Sequence, residues 1–179
     1  MNICVYCGSS PGKQPGILDH ARAFGNLMAE QNHTLVYGGS SLGVMGTLAD
    51  SVMAKNGTVI GVIPENLFTK EVAHQGITRL ITVQDMHERK SQMAELADAF
   101  VALPGGFGTM EELFEIITWN QIGILEKPVT ILNTDRFYDH LVRMIDTAVE
   151  TGFIKQENRE ILQVAETVEE CMELCRGNV

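Results

Sequence analysis

Residues 99–112 read AFVALPGGFGTMEE. Ala99 to Leu103 is apolar at every position, the pattern of a short parallel strand buried on both faces. Pro104-Gly105-Gly106-Phe107-Gly108 then interrupts the chain. Beyond it, Leu113, Ile116 and Ile117 recur at helical spacing and predict a helix over about 109–122. Strand, glycine turn and helix in this order form the repeating unit of doubly wound α/β sheets.

The same alternation extends outward in both directions. Strands are predicted at residues 2–7, 34–37, 58–63, 77–83 and 128–132, with a short one near 161–164. Helices are predicted at 15–31, from the glycine turn after Tyr37 to about Lys55, from Asp85 to about Asp98, around Phe137, Leu141, Met144 and Ala148, and from Val168 to Cys175. Residues 64–76 show no period and read as a loop. No repeat or linker divides the chain. The expectation is one α/β domain over residues 1–179, a Rossmann-like parallel sheet with helices on both faces.

The 179 residues carry a formal net charge of −10. That balance argues against a nucleic-acid backbone or an anionic membrane as partner, since both require clustered Lys and Arg. A small phosphorylated ligand is compatible, because backbone N–H groups and one or two cations can build a local anion site. There is no run of about 18 apolar residues to span a membrane. The N-terminus lacks a signal-peptide pattern, so a cytoplasmic protein is expected. Cys4 and Cys7 form a C-x-x-C at a predicted strand, where residues three apart point to opposite faces. Cys171 and Cys175 lie one helical turn apart, and no His has matching ligand spacing. Buried thiols are expected, and no metal.

In such a sheet the ligand lies beyond the carboxyl ends of the strands. Three of those ends carry small-residue turns: Cys7-Gly8-Ser9-Ser10, the stretch from Gly38 to Gly46, and Pro104 to Gly108. Glycine lets a ligand approach the backbone closely, and a helix starting there offers N–H groups to an anion. Gly8, Ser9, Gly38, Gly39, Gly43 and Met45 are therefore candidate contacts. No Walker lysine follows any of the turns, and the dinucleotide fingerprint is only loosely matched. Thr109-Met110-Glu111-Glu112 also reads as a capping box, with Thr109 capping the helix and Glu112 reaching back to it. Both roles can coexist with chemistry by one of the two glutamates.

Met86-His87-Glu88-Arg89-Lys90 opens the helix after the fourth strand. A charged run of this kind is usually a solvated helix face. Two cations near a helix N-terminus nevertheless oppose the dipole preference, which hints at an anion beside them.

Taken together, these segments resemble the Lonely Guy (LOG) family of cytokinin riboside 5′-monophosphate phosphoribohydrolases, long labelled lysine decarboxylases. Pro104 to Glu112 is similar to the family's P-G-G-x-G-T-x-x-E, and Met86 to Lys90 to its M-H-x-R-K. The resemblance runs from Ile3 to about Gly152. Ser40 stands where plant-like members often carry a third glycine, and both AMP and N6-modified AMP remain open as substrates. The resemblance implies Arg89 and Glu112 as the catalytic pair. It also implies substrate contacts from Glu71, Arg89, Lys90, Gly105, Gly106, Phe107, Gly108, Thr109, Met110, Glu111 and Thr118. It implies a homodimer acting on a nucleoside 5′-monophosphate, with no metal, no cofactor and no pyridoxal phosphate. Two rival readings are a non-catalytic nucleotide carrier of the same fold and a lysine decarboxylase.

Overall fold

The structure, a computed structural model, describes residues 1–68 and 73–177. Its strands are β1 (Asn2–Tyr6), β2 (Thr34–Tyr37), β3 (Thr58–Pro64), β4 (Arg79–Val83), β5 (Ala99–Ala102), β6 (Val129–Leu132) and β7 (Leu162–Ala165). The helices are α1 (Gly16–Glu30), α2 (Gly43–Ala54), α3 (Met86–Leu96), α4 (Phe107–Gln121), α5 (Asp139–Glu150), α6 (Gln156–Arg159) and α7 (Val168–Leu174).

The strands form one parallel sheet in the order β4-β3-β2-β1-β5-β6-β7. Ile3 lies opposite Leu35 on one side and Ala99 on the other. The chain winds outward through β2, β3 and β4, then returns to the far side of β1 to add β5, β6 and β7. The switch point lies between β1 and β5, where a crevice opens at the carboxyl edge. The three glycine turns follow β1, β2 and β5 and meet there.

Strand periodicity divides the core in two. Ile3, Val5, Leu35 and Val101 pack under α1, α2 and α7. Cys4, Tyr6, Val36 and Phe100 pack with Met93, Leu113 and Ile145 of α3, α4 and α5. Cys4 and Cys7 thus fall on opposite faces, as the period of two requires. All four cysteines are buried free thiols. Burial, followed by the Glu112 charge, pushes Cys4 and Cys7 well up and holds both protonated.

The structure departs from expectation in several places. Residues 64–68 and 73–76, the described part of the expected loop, are not simply irregular. Pro64 closes β3, a 3-10 turn covers Glu65–Leu67, and Ala73 makes an isolated antiparallel bridge to Ser40. The His74 N–H donates to the Gly39 carbonyl at 2.9 Å, tying this stretch to the second glycine turn. β4 begins at Arg79, not 77, and α6 was not anticipated. On α5 the inward side is Leu141, Val142 and Ile145, whereas Met144 is 57% exposed.

α1 and α2 approach each other at Gly25. A Cβ there would lie 2.8 Å from the Leu48 carbonyl oxygen and 2.9 Å from the Ser51 Cβ. Gly25→Ala gains about 1 kcal/mol of helix propensity but overpacks a backbone contact at a cost of about 1–3 kcal/mol. The expected result is a Tm lowered by a few degrees in a thermal melt. A raised Tm would show that the two helices part freely.

Candidate active site

α3 supplies the cation at the floor of the crevice. Asp85 caps the helix, accepting from the His87 N–H at 2.8 Å and the Glu88 N–H at 2.9 Å. The bond from Glu88, with that from His87 adding, draws the Asp85 carboxyl below its usual range. The Glu88 carboxylate accepts from the Gln84 N–H at 2.7 Å, which fixes the entry of the chain. One turn further on, Arg89 is 6% exposed. Its Nε donates to the Val62 carbonyl at 3.2 Å and its Nη2 to the Gly38 carbonyl at 3.1 Å. Nη1 meets the Met86 sulfur at 3.7 Å. The guanidinium is thus fixed across the ends of β2 and β3. A Cβ on Gly38 would overlap it, so glycine here is a demand of close approach.

Lys90 points elsewhere. Its Nζ donates to Glu111 at 2.6 Å and to Glu115 at 3.0 Å. Burial alone would lower the ammonium pKa, but the hydrogen bonds and charges of the two glutamates prevail and raise it. The two cations of the M-H-x-R-K stretch are therefore carried by strand-end carbonyls and by carboxylates of α4.

α4 begins earlier than the sequence predicts. Gly106 is the N-cap and makes no side-chain cap bond. Thr109 is the third helical residue, is 4% exposed, and places its Oγ1 over Gly105. The expected capping box is not formed, because the helix has already started two residues before Thr109. The N–H groups of the first turn lack intrahelical acceptors and sit at the positive end of the helix dipole. Gly43 serves the same edge: its φ of +58° and its contact with the Ser9 backbone both exclude a side chain.

Between these elements lies a cleft of about 340 Å³. From the second glycine turn Gly38 and Met45 reach it, and from the first Gly8 and Ser9. Arg89 forms its floor, and Gly106, Phe107, Gly108, Thr109, Glu111 and Glu112 its α4 side. Glu112 is 9% exposed, while the Glu111 carboxylate is half exposed and bonded to Lys90. Gly39, Gly43, Gly105, Lys90 and Met110 are close by but do not line the cleft. Thr118 lies about 14 Å along α4 from Thr109, with its hydroxyl bonded to the Phe114 carbonyl at 2.8 Å. Glu71 falls outside the described residues. Sequence reading missed Val5, Tyr6, Cys7, Leu67, Met86 and Met93, which also line the cleft. Met86 lay within the quoted M-H-x-R-K, and Tyr6 at the end of the first strand.

Charge of both signs surrounds this space. Burial dominates the Cys7 thiol, but Glu112 pushes it further up while Arg89 pulls it down. Tyr6 stacks on Phe100 with ring centroids 6.1 Å apart, and burial holds its hydroxyl protonated. Among the described residues no group of three or more His, Cys, Asp or Glu could hold a metal ion. Among them, too, no helix is long and apolar enough to cross a membrane.

Fold and cleft define a class: a Rossmann-like α/β protein with a cleft at the switch point of the sheet. Comparison with known proteins narrows it. The model of a family described as "Possible lysine decarboxylase" matches residues 45–175. Cytokinin riboside 5′-monophosphate phosphoribohydrolase LOG3 of Arabidopsis thaliana is 48% identical over 168 residues, covering 94% of this chain and 78% of that protein. The LOG enzyme of Oryza sativa subsp. japonica is likewise 48% identical, over 94% of this chain and 69% of its own. The chain belongs to this family, in its Lonely Guy branch. Among solved structures, the molybdenum cofactor carrier protein of Chlamydomonas reinhardtii superposes with a TM-score of 0.75 at 22% identity, over 98% of this chain and 95% of its own. The molybdenum cofactor binding protein of Rippkaea orientalis gives 0.72 at 24%, over 98% and 94%. These two establish a shared fold.

Two glycines of the cleft should respond oppositely to alanine. Gly38→Ala displaces Arg89 and should lower both Tm and ligand binding. A Cβ on Gly108 meets nothing within 4 Å, so Gly108→Ala should stabilise the fold by about 0.5–1 kcal/mol yet weaken binding of a phosphorylated ligand. Melting curves and calorimetric titration with AMP check both. A Gly108→Ala protein that binds AMP as the wild type does would remove the phosphate from this turn.

Proposed function

We propose that the protein is a phosphoribohydrolase, acting as one domain over residues 1–179 on the N-glycosidic bond of adenosine 5′-monophosphate or its N6-modified forms. The observation that carries this reading is that a buried carboxylate, Glu112, and a buried guanidinium, Arg89, line one cleft edged by the start of α4. The names of the relatives, at 48% identity, agree with it.

The 5′-phosphate rests against the N–H groups of Phe107, Gly108 and Thr109, drawn by the helix dipole. A phosphate fixed there positions the ribose over Glu112. As the bond from C1′ to the base lengthens, positive charge grows on the sugar ring, as in other glycoside cleavages. The Glu112 carboxylate stabilises that charge and takes a proton from the attacking water. Water supplies the hydroxyl that ends on C1′ and the proton that ends on the base, giving free base and ribose 5-phosphate. Arg89 does not release a proton near neutral pH. It stabilises negative charge on substrate from a position that needs no reorganisation.

Two rivals fit less well. A carrier would have no use for a buried acid and a buried guanidinium lining one cleft. A decarboxylase that works through pyridoxal phosphate requires a lysine in the cleft, and among the described residues none lines it. Lys90, the neighbour of Arg89, is paired with Glu111 and Glu115. Four buried free thiols suit a reducing compartment, in keeping with a cytoplasmic enzyme.

A second copy of the chain belongs to this proposal. Phe114, Thr118 and Ile122 follow one face of α4 at four-residue spacing, and Ile122 and nearby Ile124 are each 60% exposed. A homodimer covering this stripe removes it from water and gives Thr118 a place at an interface.

Two experiments test the reading. Purified protein incubated with AMP should release adenine and ribose 5-phosphate, and Glu112→Gln should lower kcat by at least about a hundredfold while AMP still binds. Wild-type turnover in that variant would remove Glu112 from the chemistry. Ile122→Glu should convert a dimer to a monomer in light scattering; a wild type that is already monomeric would end the dimer proposal.

A further inference from the structure

Arg89 and Glu112 come from different helices, so their separation depends on how α3 and α4 are held together. The two helices make few close backbone approaches; α3 lies against the strands β1 to β4 and α4 against β1. What spans the gap is a set of long side chains. Lys90 reaches from α3 to Glu111 at 2.6 Å and Glu115 at 3.0 Å on α4. Glu111 and Glu115 are one turn apart and so share a face of their helix. The ammonium is withdrawn from water, with a side chain only 12% exposed, and that of Glu115 is 25% exposed. A pair so placed is screened less than a surface ion pair.

The sequence neighbours matter. Lys90 follows Arg89, and Glu111 precedes Glu112. Successive residues on a helix point about 100° apart. On α3, Arg89 turns to the floor of the cleft and Lys90 to α4. On α4, Glu112 turns to the cleft and Glu111 and Glu115 to α3. The geometry points to Lys90 and Glu115 as positioning residues: a clasp that fixes the distance between the guanidinium and the catalytic carboxylate, with Glu111 as its cleft-side member. The inference rests on the hydrolase reading. It gives Lys90 a task other than the substrate contact that the family resemblance implies. Its charge already faces two carboxylates, and it is not among the side chains that line the cleft.

Lys90→Met should lower kcat by about tenfold or more, the equivalent of about 1.4 kcal/mol in the barrier, with KM for AMP within about twofold. Glu115→Ala should lower kcat in the same sense. Glu115→Gln, which keeps an acceptor for the ammonium, should retain more activity than Glu115→Ala. The double variant Lys90→Met/Glu115→Ala should be no worse than Lys90→Met alone, since coupled residues are not additive. A Lys90→Met enzyme with raised KM and unchanged kcat would make Lys90 a direct phosphate ligand and overturn the clasp. Wild-type kinetics in Glu115→Ala would overturn it as well. Should Lys90→Met fail to fold, the paired Glu115 variants still decide. If wild-type protein releases no base from AMP, the hydrolase reading fails by itself. The clasp is then judged from melting temperatures: non-additive shifts for Lys90 and Glu115 support it, and additive shifts overturn it.

Discussion

The constraint on which this site depends is a positive charge held out of water. A buried guanidinium is costly, by several kcal/mol, unless its donors are met. Arg89 meets the carbonyls of Val62, in the last part of β3, and of Gly38, where β2 runs out into its turn. The carboxyl edge of the sheet thus supplies the oxygen atoms that the arginine requires. The demand extends further. Gly38 must lack a Cβ, α3 must start at Asp85 so that residue 89 turns inward, and Met86 must sit over the remaining edge of the guanidinium. Once these are satisfied the charge has a fixed location at the carboxyl edge of the sheet, and an anionic ligand can meet it without rearrangement.

The glycines separate into two kinds. Gly38 and Gly43 answer to the protein itself, one to a guanidinium and the other to a positive φ beside the Ser9 backbone. Gly106 is the N-cap of α4, where glycine costs little, but Gly108 answers to nothing within the protein, since a Cβ there would enter open space. Glycine also weakens a helix start. A costly residue with no internal cause points outward, to something that must approach the backbone, and this contrast supports a phosphate at α4 over a merely tight turn.

Much of the architecture was legible because it depends on local periodicity. The continuous apolar run at Ala99–Leu103 and the recurring strand–helix beat specify a parallel sheet, and the period of two on β1 separates Cys4 from Cys7. What escaped was set by contacts remote in sequence. Thr109 and Glu112 have the spacing of a capping box, yet Thr109 is occupied in covering Gly105, and the helix starts on Gly106. The pairing of Ser40 with Ala73 joins positions 33 apart, neither of which lies in a strand pattern. Lys90 finds its partners 21 and 25 positions away, a distance at which spacing rules say nothing. Tyr6 and Leu67 line the cleft through where their elements end, which sequence reading places only to within a few residues.

Adjacent residues of like charge are the other place where sequence and structure differ. Glu111 and Glu112 look interchangeable in a sequence, as do Arg89 and Lys90. A helix turns each pair through about 100° per residue, and that rotation gives neighbours separate tasks. The inner members, Arg89 and Glu112, are buried beside the cleft, where burial leaves their charges strong. The outer members, Lys90 and Glu111, face each other between the helices with Glu115. A one-residue slip in either helix would send a linking side chain into the cleft and a cleft residue into the gap. The N-cap at Asp85 and the glycine start of α4 therefore matter to the chemistry as much as the charged groups do, because they set the rotation from which every charge in the site takes its direction.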